Sequence, residues 1–215
     1  ANLNAYTSVD QTVYNISAVP VGREAVLDSA LLILHDWSHS LLLADNEIDK
    51  ERGVIHEEWR MRRSGKATQR MMERVMPIVY RGTKYEDCLP IGSMDIVDRF
   101  PYNALRDYYK KWYRPDLQSV IVVGDIKPAE VEAKIKRLFG NIPRAKYAAE
   151  RIYYPVNDND RMIVATDRDS EQPIMLANLY MKHDVVSDRD KSDISYLRDS
   201  YMESLIISML NARLQ

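Results

Sequence analysis

The chain has 215 residues, 46% of them apolar and 29% charged, with a formal net charge of -2. That is an ordinary globular composition, long enough for one large domain or parts of two, with no basic footprint for nucleic acid. No apolar run approaches the roughly 18 to 20 residues that cross a bilayer, and a single cysteine, Cys88, excludes an internal disulfide framework and a cysteine-based zinc site.

Residues 4–19 are rich in Tyr, Thr and Val, which predicts two strands, or one bent strand, with a turn near residues 8–11. Over residues 23–43, Val26, Leu27, Ala30, Leu31, Leu34 and Trp37 recur at helical spacing. Asp45 and Asn46 suit the cap of a second helix running from about residue 47 past 62. Gly53 inside it costs about 1 kcal/mol relative to Ala, which suggests close packing at that point. A third helix over 67–79 puts Met71, Met72, Val75 and Met76 on a buried stripe that reads as core filling rather than a ligand set.

Residues 80–98 read as loop, with Gly82, Pro90 and Gly92. Pro101 opens a helix through Tyr113, which Pro115 stops. The apolar run 117–123 predicts a strand; Gly124 and Asp125 turn it into a helix over 128–139, capped by Gly140. One glycine at that turn, with no Lys-Ser/Thr behind it, argues against a phosphate loop. Asn157, Asp158, Asn159 and Asp160 mark the clearest linker, before predicted strands at 161–166 and 173–182 and a helix over 191–214. A first residue other than Met, and a helical pattern with no stop at the other end, suggest a fragment of a longer polypeptide.

Glu51 and Glu58 are seven residues apart, about two helical turns, so both carboxylates leave one face. Such a pair suits a metal ligand and a supporting acid. An acidic, Arg-containing helix is more often a solvated face, and the spacing alone favours that reading. His35 and His39 lie four apart, but with no acid between them they read as the polar edge of a packed helix. His56 points about 200° away from Glu58, and His183 reads as a loop residue.

Four stretches together resemble the insulinase/pitrilysin family of zinc peptidases, the inverzincins. They are Asn4-Ala5-Tyr6-Thr7-Ser8 with Asp10 and Thr12-Val13-Tyr14; Glu51-Arg52-Gly53-Val54-Ile55 ending on Glu58; Tyr108-Tyr109-Lys110-Lys111-Trp112-Tyr113-Arg114-Pro115 with the Val-Val-Gly-Asp strand end at 122–125; and the helix end at 209–214 with its Arg-Leu pair. Their order and spacing match across nearly the whole chain. The resemblance implies a truncated α+β fold, a mixed or antiparallel sheet against a layer of helices. Residues 1–148 would be the C-terminal part of a first peptidase-family domain, and 149–215 the beginning of a second, related one.

The resemblance also implies chemistry. In this family an H-x-x-E-H motif supplies two His ligands and the general base, and a later Glu completes the zinc shell. Glu58 matches that metal ligand, and Glu51 matches a second acid that supports catalysis. Asn4, Ala5, Tyr6 and Thr7 match the edge strand to which a peptide substrate adds. No H-x-x-E-H occurs in these residues, so the expectation is a piece of a zinc metalloendopeptidase that is inactive alone, with Zn2+ bound in the full-length protein and weakly or not at all by this piece. Its partners would be a peptide or small unfolded protein substrate and the remaining halves of the same or a partner peptidase chain. Self-association through truncated edges is a further expectation. The competing readings are a non-catalytic scaffold or partner subunit of the same fold, and a peptide-binding module without chemistry.

Overall fold

The computed structural model describes residues 1–182 and 185–214, and His183 lies outside them. Strands β1 (Asn2–Thr7) and β2 (Thr12–Ser17) form an antiparallel hairpin with Asn2 opposite Ser17 and Thr7 opposite Thr12. At its turn Ser8 N–H donates to Gln11 O at 2.9 Å and the Ser8 hydroxyl to Asp10 Oδ1 at 2.7 Å, the local bonding that makes such residues turn formers. Helices follow as α1 (Glu24–His39), α2 (Asp45–Arg63), α3 (Ala67–Val79), α4 (Met94–Arg99), α5 (Tyr102–Trp112) and α6 (Pro128–Phe139). The fold is α+β, a small antiparallel sheet against helices.

Every residue of β1 is exposed, whereas Val13, Tyr14 and Ile16 of β2 are half-buried. Tyr14 anchors the hairpin: its ring lies 5.6 Å from that of Trp37 and its hydroxyl 2.6 Å from the Tyr113 hydroxyl. Burial first, and that hydrogen bond second, push the Tyr14 pKa well above the usual phenol range.

Helices α1 and α6 meet along one stripe of α1. Glu24, Asp28, Leu31 and His35 recur at the spacing of a single helical face. Lys134 of α6 donates to Glu24 at 2.7 Å and to Asp28 at 2.6 Å, and the His35 ring stands edge-on to Phe139 at 5.5 Å. Leu31 is 1% exposed and seals the middle of that stripe.

Helix α5 ties the remaining parts together, again along one face. The Tyr102 hydroxyl donates to Asp49 of α2 at 2.7 Å. Arg106 donates to Leu43 O at 3.1 and 2.8 Å, and the Tyr109 hydroxyl to Trp37 O at 2.8 Å. Tyr113, just past the helix end, meets Tyr14. Beyond it Arg114, 6% exposed, donates to both oxygens of Asp116 at 3.0 Å, to Lys111 O at 3.1 Å and to Ala149 O at 2.5 Å.

Segment 167–172 is strapped along α3 by charge. Arg70 holds Asp169 with two bonds of 2.8 and 2.6 Å and Glu171 with one of 2.9 Å, and Arg74 donates to Asp167 at 2.7 Å. Those charge-assisted bonds keep the Asp169 carboxyl well below the usual carboxylate range, Arg70 being the main cause.

One compact unit comprises Ala1–Asn157 with Arg161–Ile174; the other comprises Asp158–Asp160 and the described residues from Met175 onward. In the second unit, the Ser187 hydroxyl caps α7 (Asp188–Lys191) by accepting from Asp190 N–H at 3.1 Å. Asp193 accepts from Ser195 N–H at 2.7 Å at the start of α8 (Ile194–Leu214). Apolar side chains of α8, Ile194, Leu197, Tyr201 and Ile207 among them, are exposed.

The helices expected at 67–79 and 128–139 have those bounds in the structure. Gly140 ends the second of them, its N–H donating to Lys136 O at 3.0 Å. Three expectations are corrected. The apolar runs 117–123, 161–166 and 173–182 are not strands: a strand exists by pairing, and the sole ladder among the described residues joins β1 to β2. Ile121 and Val123 are accordingly exposed. The 80–98 stretch is not loop throughout, since it holds a 3-10 turn at Lys84–Asp87 and helix α4. Gly53 is not closely packed, because a Cβ there would meet nothing within 4 Å.

Candidate metal site

Helix α2 has two opposite working faces. At about 100° per residue, Asp49, Arg52 and His56 share one stripe, and Glu51 and Glu58 lie roughly opposite. The first stripe is fully engaged. Arg52 donates to Phe100 O at 2.7 Å, to Val97 O, and to Asp49 Oδ1 at 3.2 Å, with its guanidinium carbon 4.0 Å from the Phe100 ring centre. His56 Nε2 lies 2.7 Å from Asp98 Oδ1.

The acidic face is open. The Glu51 side chain is exposed and hydrogen-bonds to none of the described residues. Glu58 is half-buried and accepts from Arg62 Nε at 3.0 Å and Nη2 at 2.6 Å, both partners being more than a third exposed. An exposed Arg partner one turn along a helix contributes little and is readily exchanged. An anionic oxygen so placed fits one position of a zinc shell, and Glu51 lies about two helical turns back on the same face. Among the described residues no group of three or more His, Cys, Asp or Glu side chains gathers to hold a metal.

Asn4, Ala5, Tyr6 and Thr7 stand together on β1, opposite Asn15, Tyr14, Val13 and Thr12. The far edge of β1 has no partner strand among the described residues, which leaves a row of backbone donors and acceptors open to an extended chain. No hydrogen bond joins this strand to Glu51 or Glu58. His35 packs on Phe139 and approaches Asp36 at 3.1 Å, while His39 is exposed.

Sequence reasoning missed Arg52 and the Arg70–Asp169 strap. The signal for Arg52 was available: Asp49, Arg52 and His56 repeat at three and four residues on a helix with little apolar periodicity. In such a helix the packing face can be polar.

Two family models match. Residues 1–89 match the insulinase model, peptidase family M16, and residues 99–197 match the model described as the M16 inactive domain. The chain is 33% identical over 214 residues to the probable zinc protease PqqL of Escherichia coli K12, covering 100% of this chain and 22% of that protein. It is 30% identical over 217 residues to the probable zinc protease PqqL of Haemophilus influenzae, covering 100% and 23% respectively. The crystal structure of the first half of the periplasmic protease PqqL from Escherichia coli superposes with a TM-score of 0.65 at 37% identity, over 72% of this chain and 32% of that one. Both the fold and the sequence are those of a peptidase class.

The chain belongs to the insulinase family of zinc peptidases, family M16. It spans about a fifth of the length of the curated relatives it matches. No described helix is long and apolar enough to cross a membrane.

Proposed function

We propose that this chain is part of a zinc metalloendopeptidase in which Glu58 is the third protein ligand of the metal and Glu51 the neighbouring acid that supports catalysis. The observation carrying this reading is the open face of α2: both acids project away from the packed stripe, within the residues matched by the insulinase model. Bound zinc supplies a water whose pKa falls toward about 7 and polarises a peptide carbonyl. Glu58 contributes an anionic oxygen once Arg62 is displaced. Glu51 holds negative charge beside it. Asn4, Ala5, Tyr6 and Thr7 offer the β1 edge to an extended peptide, whose backbone would pair there with little sequence preference.

Two His ligands and a general base must come from an H-x-x-E-H segment outside these residues, and the remaining halves of the same or a partner chain would complete the site. The 215 residues alone are therefore inactive and hold zinc weakly, because one carboxylate cannot replace a three-ligand shell. The division at 148/149 into the end of one domain and the beginning of the next belongs to the same reading, as does self-association through the open β1 edge. The match of residues 99–197 to the inactive-domain model favours a second reading, a non-catalytic scaffold or partner subunit. The experiment is Glu58→Gln in the intact polypeptide. Loss of both zinc and peptidase activity is expected; unchanged zinc content and rate would sink the ligand assignment.

A further inference from the structure

The geometry points to Arg52, seconded by His56, as the positioning residue that fixes the direction in which Glu58 leaves α2. This inference rests on the reading of Glu58 as a zinc ligand. Helix α4 stops at Phe100, which precedes Pro101 and is extended at φ -61° and ψ 134°. Its last carbonyls therefore lack donors from the helix itself. Arg52 reaches across from α2 to supply them, bonding Val97 O and, at 2.7 Å, Phe100 O. The Phe100 ring closes on the same guanidinium at 4.0 Å, and Tyr102 at 5.7 Å.

One turn in either direction the grip is repeated. Asp49 accepts from the Tyr102 hydroxyl at 2.7 Å, and His56 meets Asp98 at 2.7 Å. Ile48 is the one fully buried apolar side chain of α2, with Ile55 and Trp59 half-buried on the same face; such greasy contacts tolerate sliding. Directional bonds to fixed carbonyls do not tolerate it. They set the rotation of α2 about its own axis, and that rotation aims the opposite face.

The required precision is high. A rotation of about 20° carries a carboxylate about 6 Å from the helix axis through roughly 2 Å. Metal–ligand distances tolerate only about 0.2 Å. A helix free to roll would present Glu58 to zinc for a small fraction of the time. Arg52 therefore acts through Glu58 without touching the metal, as an outer partner orients a ligand.

The test uses the intact polypeptide, with apparent zinc affinity measured by chelator competition and amide exchange followed across residues 94–102. Arg52→Ala is expected to weaken zinc roughly 10- to 100-fold. In the Glu58→Gln background the same change should add less than about twofold, because coupled residues are not additive. Should Arg52→Ala fold poorly, Phe100→Leu keeps both carbonyls and removes the ring; a smaller loss in the same direction is expected. Equal losses in the wild-type and Glu58→Gln backgrounds would mark a merely structural role and overturn the proposal. So would wild-type affinity in both Arg52→Ala and Phe100→Leu while Glu58→Gln alone loses zinc. If Glu58→Gln leaves zinc unaffected, the ligand reading fails first and the positioning role with it.

Discussion

Arg114 is the one charged residue among the described buried side chains, and replacing it tests how the segment after α5 is fastened. In Arg114→Lys the charge remains, but a single ammonium cannot reproduce a fork that reaches Asp116, Lys111 O and Ala149 O at once. Asp116 is half-exposed, so its share is at most about 1 kcal/mol. The two carbonyls matter more. Leaving one of them without a donor costs about 1–3 kcal/mol. Arg114→Lys should therefore lose about 2–3 kcal/mol, against less than about 1 kcal/mol for Asp116→Asn. At roughly 2–4 °C per kcal/mol for a chain of this size, the melting temperature falls by about 5–10 °C. Urea unfolding followed by tryptophan fluorescence measures both variants. The reasoning is refuted if Arg114→Lys costs no more than Asp116→Asn.

Three further outcomes are expected. Tyr14→Phe removes the hydroxyl pair with Tyr113 and should cost about 1 kcal/mol; a double-mutant cycle with Tyr113→Phe should return coupling of the same size, and strict additivity would argue against the anchor. Gly53→Ala should stabilise by about 0.5–1 kcal/mol, because the helix is regular there and a Cβ meets nothing; a loss of stability in urea unfolding would restore the close-packing idea. The strap 167–172 should respond to acid. Asp169 and Asp167 have pKa values depressed from 3.8 by Arg70 and Arg74, so their contribution is complete above about pH 4 and lost as pH falls through the lowered values. Amide exchange over 161–174 should rise in that window, and Asp169→Asn should raise it already at pH 7; unchanged protection in both would contradict the strap.

The regular helices were legible because their signals are local. Helix α6 starts with Pro128 and stops at Gly140, and its apolar positions follow one period, so pattern and boundary agree. The run 117–123 was misread for the opposite reason. Its β-branched residues describe a chain suited to a pleated surface, but pairing depends on a partner that no local pattern names. The shared face of Glu51 and Glu58 follows from spacing alone. What holds that face in place does not: Arg52 packs through carbonyls and a ring contributed by residues 45 to 48 positions away, and hydrophobic periodicity is blind to a polar seat.

The central claim is that Glu58 binds zinc. Anomalous diffraction at the zinc edge, from crystals of the intact zinc-loaded polypeptide, tests it most directly. The account predicts one peak at about 2.0–2.2 Å from a Glu58 carboxylate oxygen, with Arg62 turned away and Glu51 nearby outside bonding distance. A peak bound elsewhere, on His35 and His39 for example, with Glu58 still paired to Arg62, would contradict it.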